Sequence, residues 1–143
     1  MKEISILLIE DDELDVISFE RALKKINLPI ILYTAFNGIE ALELLRGKQR
    51  ISIPDIIVLD LNMPKMNGGE FLAELRKDST FNDVKIFIMT TSNEDRDRSR
   101  GDEFGVTGYI IKPLNFNENT KRNVSMDNFM HFQIMKMVGD QLN

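Results

Sequence analysis

With 143 residues, of which 43% are hydrophobic and 29% charged, the chain has the balance of one soluble globular domain, long enough to bury a core and too short for two ordinary ones. It has no apolar run the length of a membrane span and no cysteine for a disulfide framework or a thiolate metal site. Its 18 basic and 23 acidic residues leave a net charge of −5, which argues against a nucleic-acid-binding surface and makes a protein the expected partner.

The N-terminus, MKEISILLIEDDELD, runs from a short apolar stretch straight into acids. It lacks the small-residue cleavage site of a signal peptide, so the expected compartment is the cytoplasm. ISILLI (4–9) is the first predicted strand and ends in Glu10-Asp11-Asp12. Asp12 is placed to cap the helix of DELDVISFERALKKI. IILYTA (30–35) is a second strand, and Asn37-Gly38 opens a second helix, NGIEALELLRG, whose apolar face is followed by Gly47. The polar connector GKQRISIP (47–54) reads as a surface loop.

DIIVLD (55–60) is a third strand that stops on Asp60, where Asn, Pro, Asn and Gly break the chain. Asn67 then caps a third helix, NGGEFLAELRK. KIFIMTT (85–91) and TGYIIK (107–112) are the fourth and fifth strands. Between them SNEDRDRSRGDEF offers almost no apolar face and carries Gly101, so a fourth helix there is expected to be short or loosely held. Past Pro113 an Asn-rich loop leads into VSMDNFMHFQIMKMVGDQL. This reads as a last helix, with Val124, Phe129, Phe132, Ile134, Met135 and Val138 available for packing. The strands are apolar at successive positions, as expected when both faces are covered, and they alternate with helices. Repeated βαβ units therefore predict an α/β fold: a doubly wound, five-stranded parallel sheet flanked by five helices.

In such a sheet ligands bind in the crevice at the carboxyl ends of the strands. If the first and third strands are neighbours, Glu10, Asp11 and Asp60 converge on one edge. Carboxylates that close repel one another unless a cation sits among them, and a hard divalent ion such as Mg²⁺ suits carboxylate and carbonyl oxygens. The plainer alternative is that such acids are helix caps or solvated strand ends. That alternative is preferred for Asp12, and the site reading for the other three.

LLIEDD, VLDLNMPKMNG, FIMTTS and YIIKP together resemble the receiver domain of two-component response regulators, over roughly residues 3 to 140. Within the family the chain is most similar to the stand-alone receivers associated with bacterial phytochromes. The resemblance implies a single domain over residues 1–143 with no output domain, the flavodoxin-like strand order 2-1-3-4-5, and a signalling role rather than a classical enzymatic one. It makes Asp60 the phosphoacceptor. Glu10 and Asp11 become the metal-binding acids, with Asp11 the more direct ligand, and Asn62 lends its backbone carbonyl to the ion. Lys112 pairs with a phosphoryl oxygen, aimed by a cis bond to Pro113.

Thr90 matches the switch hydroxyl, with Thr91 beside it as the competing choice. Tyr109 matches the aromatic switch residue, or is simply an edge-strand aromatic half-buried on the last helix. The implied partners are a sensor histidine kinase or phosphotransfer protein as donor, and a downstream protein that reads the face of helix four, strand five and helix five. Thr91, where many receivers have Ala or Gly, is expected to narrow access to the phosphoryl group and lengthen its life. His131 reads as a helix residue far from the site. The Met-bearing run FMHFQIMKMV reads as core packing, with a homodimer contact as its other use. Two other readings stand beside these. Phosphatases of the haloacid-dehalogenase type need a second Asp where this chain has Asn62. A receiver-like binding module that is never phosphorylated usually lacks one or more of the site residues kept here.

Overall fold

The structure, a computed structural model, describes residues 3–25, 28–61, 66–90 and 105–112. Within them the order is β1 (Ile4–Ile9), α1 (Glu13–Lys24), β2 (Ile30–Ala35), α2 (Gly38–Arg46), β3 (Ile56–Asp60), α3 (Gly68–Arg76), a short 3₁₀ turn (Ser79–Phe81), β4 (Lys85–Thr90) and β5 (Gly108–Ile111). The strands form one parallel sheet in the order β2-β1-β3-β4-β5. This is the doubly wound, flavodoxin-like arrangement. The predicted fourth and fifth helices, with Asn62, Thr91, Pro113 and His131, lie outside the described residues.

Side chains alternate across the sheet and build two cores. On one face Ile4, Ile6 and Leu8 of β1 join Ile56, Val58, Phe87 and Met89 under Phe19, Ala22 and Leu23 of α1. On the other, Leu7, Ile9, Ile57, Leu59, Ile86 and Ile88 lie under Ala41, Leu42 and Leu45 of α2 and Phe71, Leu72 and Leu75 of α3. Burial on both faces explains why β1, β3 and β4 read as unbroken apolar runs. The expectation that β2 and β5 are equally covered is corrected: most residues of both are only partly buried, because they are the two edges of the described sheet. The 3₁₀ turn was not foreseen in the sequence. Asp78 caps it by accepting the Thr80 N–H at 3.0 Å.

Each of the three described α-helices begins where its cap was expected. Asp12 accepts the Leu14 N–H at 2.9 Å, Asn37 accepts that of Glu40 at 2.8 Å, and Asn67 with Glu70 forms a reciprocal capping box. The register brings the carboxyl ends of the strands level: Ile9 lies opposite both Ala35 and Leu59, Asp60 opposite Met89, and Thr90 opposite Ile111. The strand order reverses between β1 and β3, so a crevice opens at this edge between the loops that follow them.

Candidate functional site

Glu10 leaves β1 with its N–H donating to the Ala35 carbonyl at 2.9 Å, which carries the sheet pattern one residue past the strand. Asp60 is the last residue of β3, the neighbouring strand. Adjacent strand ends bring the acids together. Glu10, Asp11 and Asp60 can each offer a carboxylate oxygen such that all three lie within 4.8 Å of one another. Glu10 and Asp60 are buried, with 1% and 7% of their surface exposed, whereas Asp11 is open to solvent. Asp12 turns to its capping role instead.

Gly68, at the start of α3, sets how closely the chain returns after β3. Its N–H donates to the Leu61 carbonyl at 3.1 Å, and a Cβ there would stand 2.7 Å from Leu61 Cα and 2.9 Å from the Asp60 carbonyl oxygen. Only a residue without a side chain lets α3 begin against the strand end that carries Asp60.

Lys112 reaches into the cluster from beyond β5. Its N–H donates to the Thr90 carbonyl at 2.7 Å, tying the end of β5 to that of β4. Its ammonium lies 2.8 Å from Glu10 Oε2, 2.8 Å from Asp15 Oδ2 and 3.4 Å from Asp60 Oδ2. Burial works against the charge on Lys112, but the carboxylates of Asp15, Glu10 and Asp60 outweigh it and hold the ammonium above its ordinary value.

Burial pushes the Glu10 carboxyl up to about 8; the Lys112 ammonium and the Asp12 N–H oppose the rise, and the charge of Asp60 adds to it. These two shifts pull against each other, because a neutral Glu10 would be a weaker partner for the lysine. Asp15 and Asp60 face the ammonium as well and keep it charged. Glu10 Oε1 accepts the Asp12 N–H at 3.1 Å. Oε2 is buried and has the ammonium 2.8 Å away, yet receives no hydrogen bond of acceptable geometry. A cluster of three carboxylates, each offering an oxygen within 4.8 Å of the others, fits a hard divalent cation.

Thr90 is buried at the end of β4. Tyr109, on β5, is half-buried and packs against the core on the α2 and α3 face; the last helix, the other neighbour its position allows, lies outside the described residues. The structure therefore brings Glu10, Asp11, Asp60 and Lys112 together, with Thr90 and Tyr109 on the adjoining strands. It also adds Asp15, which the sequence reading passed over. An acid at the third position of a helix, just after an Asp cap, reads as an ordinary complement to the helix dipole, and only its spacing of four from Asp11 hinted at a shared face.

Fold and site together define a doubly wound α/β domain with an acidic crevice and one lysine at the carboxyl edge of its sheet. The sequence profile of the response regulator receiver domain matches residues 6–122, and the chain belongs to that family of two-component signalling domains. It is 39% identical to a two-component response regulator of Legionella pneumophila, with a TM-score of 0.74 over 91% of this chain and 98% of that one. The structure of the phosphorylated cyanobacterial phytochrome response regulator RcpA is similar too: 28% identity and a TM-score of 0.78, covering 93% of this chain and 96% of that one. Among curated proteins, the sensor histidine kinase CheAY of Helicobacter pylori is 40% identical over 108 residues, 76% of this chain. The match spans 13% of that much longer kinase.

Proposed function

We propose that the chain is a receiver that accepts a phosphoryl group on Asp60 from the phosphohistidine of a sensor histidine kinase or phosphotransfer protein. A carboxylate oxygen of Asp60 attacks phosphorus as the P–N bond breaks, and that bond's electron pair returns to the imidazole nitrogen. The product is an acyl phosphate. Hydrolysis later returns the carboxylate and releases inorganic phosphate. Glu10, Asp11 and Asp60, with the Asn62 backbone carbonyl, would hold Mg²⁺, which when bound offsets charge on the phosphoryl oxygens.

Lys112 pairs with one phosphoryl oxygen as a point charge, and Thr90 donates its hydroxyl to another. Tyr109, on the strand beside Thr90, is the aromatic that follows the threonine's movement. The new charge biases two pre-existing arrangements of the face around the fifth strand and so changes which downstream protein binds there. A homodimer is a further use of the same region.

The observation that carries this reading is the convergence of Glu10, Asp11 and Asp60 at the carboxyl edge of the sheet, with Lys112 reaching Glu10 and Asp60. Similarity to a structure of a phosphorylated phytochrome response regulator supports it. Incubation with Mg²⁺ and acetyl phosphate, followed by intact mass, tests it. The expected result is a single, alkali-labile phosphoryl addition that Asp60→Asn abolishes. An unmodified wild-type chain would favour a receiver-like module that is never phosphorylated.

A further inference from the structure

Lys112 is shared, and the sharing is unequal. Its ammonium is closer to Glu10 and Asp15, at 2.8 Å each, than to Asp60, at 3.4 Å. It therefore leans away from the strand end where the chemistry is placed. An ammonium has three hydrogen-bond donors, and here three carboxylates face it. Moving the ammonium toward a new anionic partner on Asp60 therefore lengthens its 2.8 Å contacts with Glu10 and Asp15.

The three partners differ in how easily they let go. The Glu10 side chain is fully buried, so no water can replace the ammonium as its partner. Asp60 is itself the group that changes. Asp15, in the first turn of α1, keeps 24% of its side chain exposed, so water can take over its solvation when the lysine leaves. The same position, near the positive end of a helix, stabilises the carboxylate after release.

From this geometry we infer that Asp15 is a positioning residue: it draws Lys112 away from Asp60 in the resting state and yields it when a phosphoryl group arrives. Its carboxylate never touches the reacting atoms and acts only through the lysine. The inference rests on the reading of Asp60 as phosphoacceptor. Asp15 thereby sets the threshold for phosphorylation, because part of the lysine's attraction to the phosphoryl group is spent in leaving it. Removing the carboxylate frees Lys112 to approach Asp60.

The test follows phosphorylation of the full chain by acetyl phosphate at saturating Mg²⁺, using intact mass, for wild type, Asp15→Asn, Asp15→Glu and Glu13→Gln. Glu13 is exposed in the same helical turn, so its substitution removes one negative charge from the same end of the molecule. Asp15→Asn is expected to react about fivefold faster, the scale of one partly exposed ion pair. Asp15→Glu restores the wild-type rate, and Glu13→Gln matches wild type.

An Asp15→Asn rate equal to or below wild type overturns the inference. So does an equal acceleration by Glu13→Gln, which would make the effect one of overall charge, or an Asp15→Glu rate as fast as that of Asp15→Asn. Thermal unfolding confirms that each variant is folded, and Asp15→Ser repeats the measurement with a shorter neutral side chain. A wild-type chain that takes no phosphoryl group at all sinks the underlying assignment of Asp60 instead, a different outcome from equal rates.

Discussion

Glu10 and Lys112 stabilise each other in a place where neither charge would be tolerated alone. The Lys112 side chain is 10% exposed and that of Glu10 is fully buried. Lys112→Ala would leave Glu10 Oε2 without its cation, and loss of one partner of a buried pair costs about 3–5 kcal/mol when the other cannot neutralise itself. Glu10 can neutralise itself, because burial pushes its carboxyl up to about 8. A raised folded value means that the folded protein holds the proton more tightly than the unfolded chain. The contribution is fully present below the ordinary carboxylate value and is lost as pH rises through about 8. Urea denaturation of the metal-free protein should therefore find Lys112→Ala more damaging at pH 9 than at pH 6. An equal loss at both would show that Glu10 does not adjust its proton.

α3 shows how an element serves the site. Its start is fixed by the Asn67–Glu70 capping box and by the close approach of Gly68 to Leu61 and Asp60. Asn67→Ala should cost about 1 kcal/mol, an ordinary cap loss. Gly68→Ala separates two principles. Alanine is the better helix former by about 0.8–1 kcal/mol, but its Cβ would stand 2.7 Å from Leu61 Cα, a backbone atom that cannot swing aside. We expect the clash to win: Gly68→Ala should lower the urea midpoint and slow phosphorylation, by moving the strand end that carries Asp60. A stabilised variant would contradict the close-packing argument.

At this scale the sequence was most readable where local chemistry decides structure. The three caps, at Asp12, Asn37 and Asn67, stand where their residue types and the following apolar spacing put them. The 3₁₀ turn escaped, since Asp78-Ser79-Thr80 looks like any polar connector until Phe81 is seen buried in the core. Edge exposure of β2 also escaped. An apolar run shows that a strand prefers cover, while strand order, a non-local property, decides whether it receives cover on both sides.

Across the whole molecule, the sheet divides two apolar clusters with no buried member in common, one under α1 and one under α2 and α3. Among the described residues, Phe19 and Phe71 are the fully buried aromatics of the two sides. Phe19→Ala and Phe71→Ala should each cost about 3–5 kcal/mol. In a host stabilised enough to stay folded, the pair should be additive within about 0.5 kcal/mol, because separated sites without shared partners do not couple. Strong non-additivity in equilibrium unfolding would mean that the sheet transmits packing strain between its faces.

The convergence of Glu10, Asp11 and Asp60 was foreseeable at this scale once β1 and β3 were taken as neighbours. Asp15 was not, because its partner Lys112 is 97 residues away and no local pattern links them.

The most direct measurement is a crystal structure of the protein grown with magnesium and beryllofluoride. It should show the fluoride adduct on an Asp60 carboxylate oxygen, a cation among Glu10, Asp11 and Asp60, and Lys112 on the adduct. A clear map with an adduct on another side chain, or with no cation among those three acids, would contradict the account.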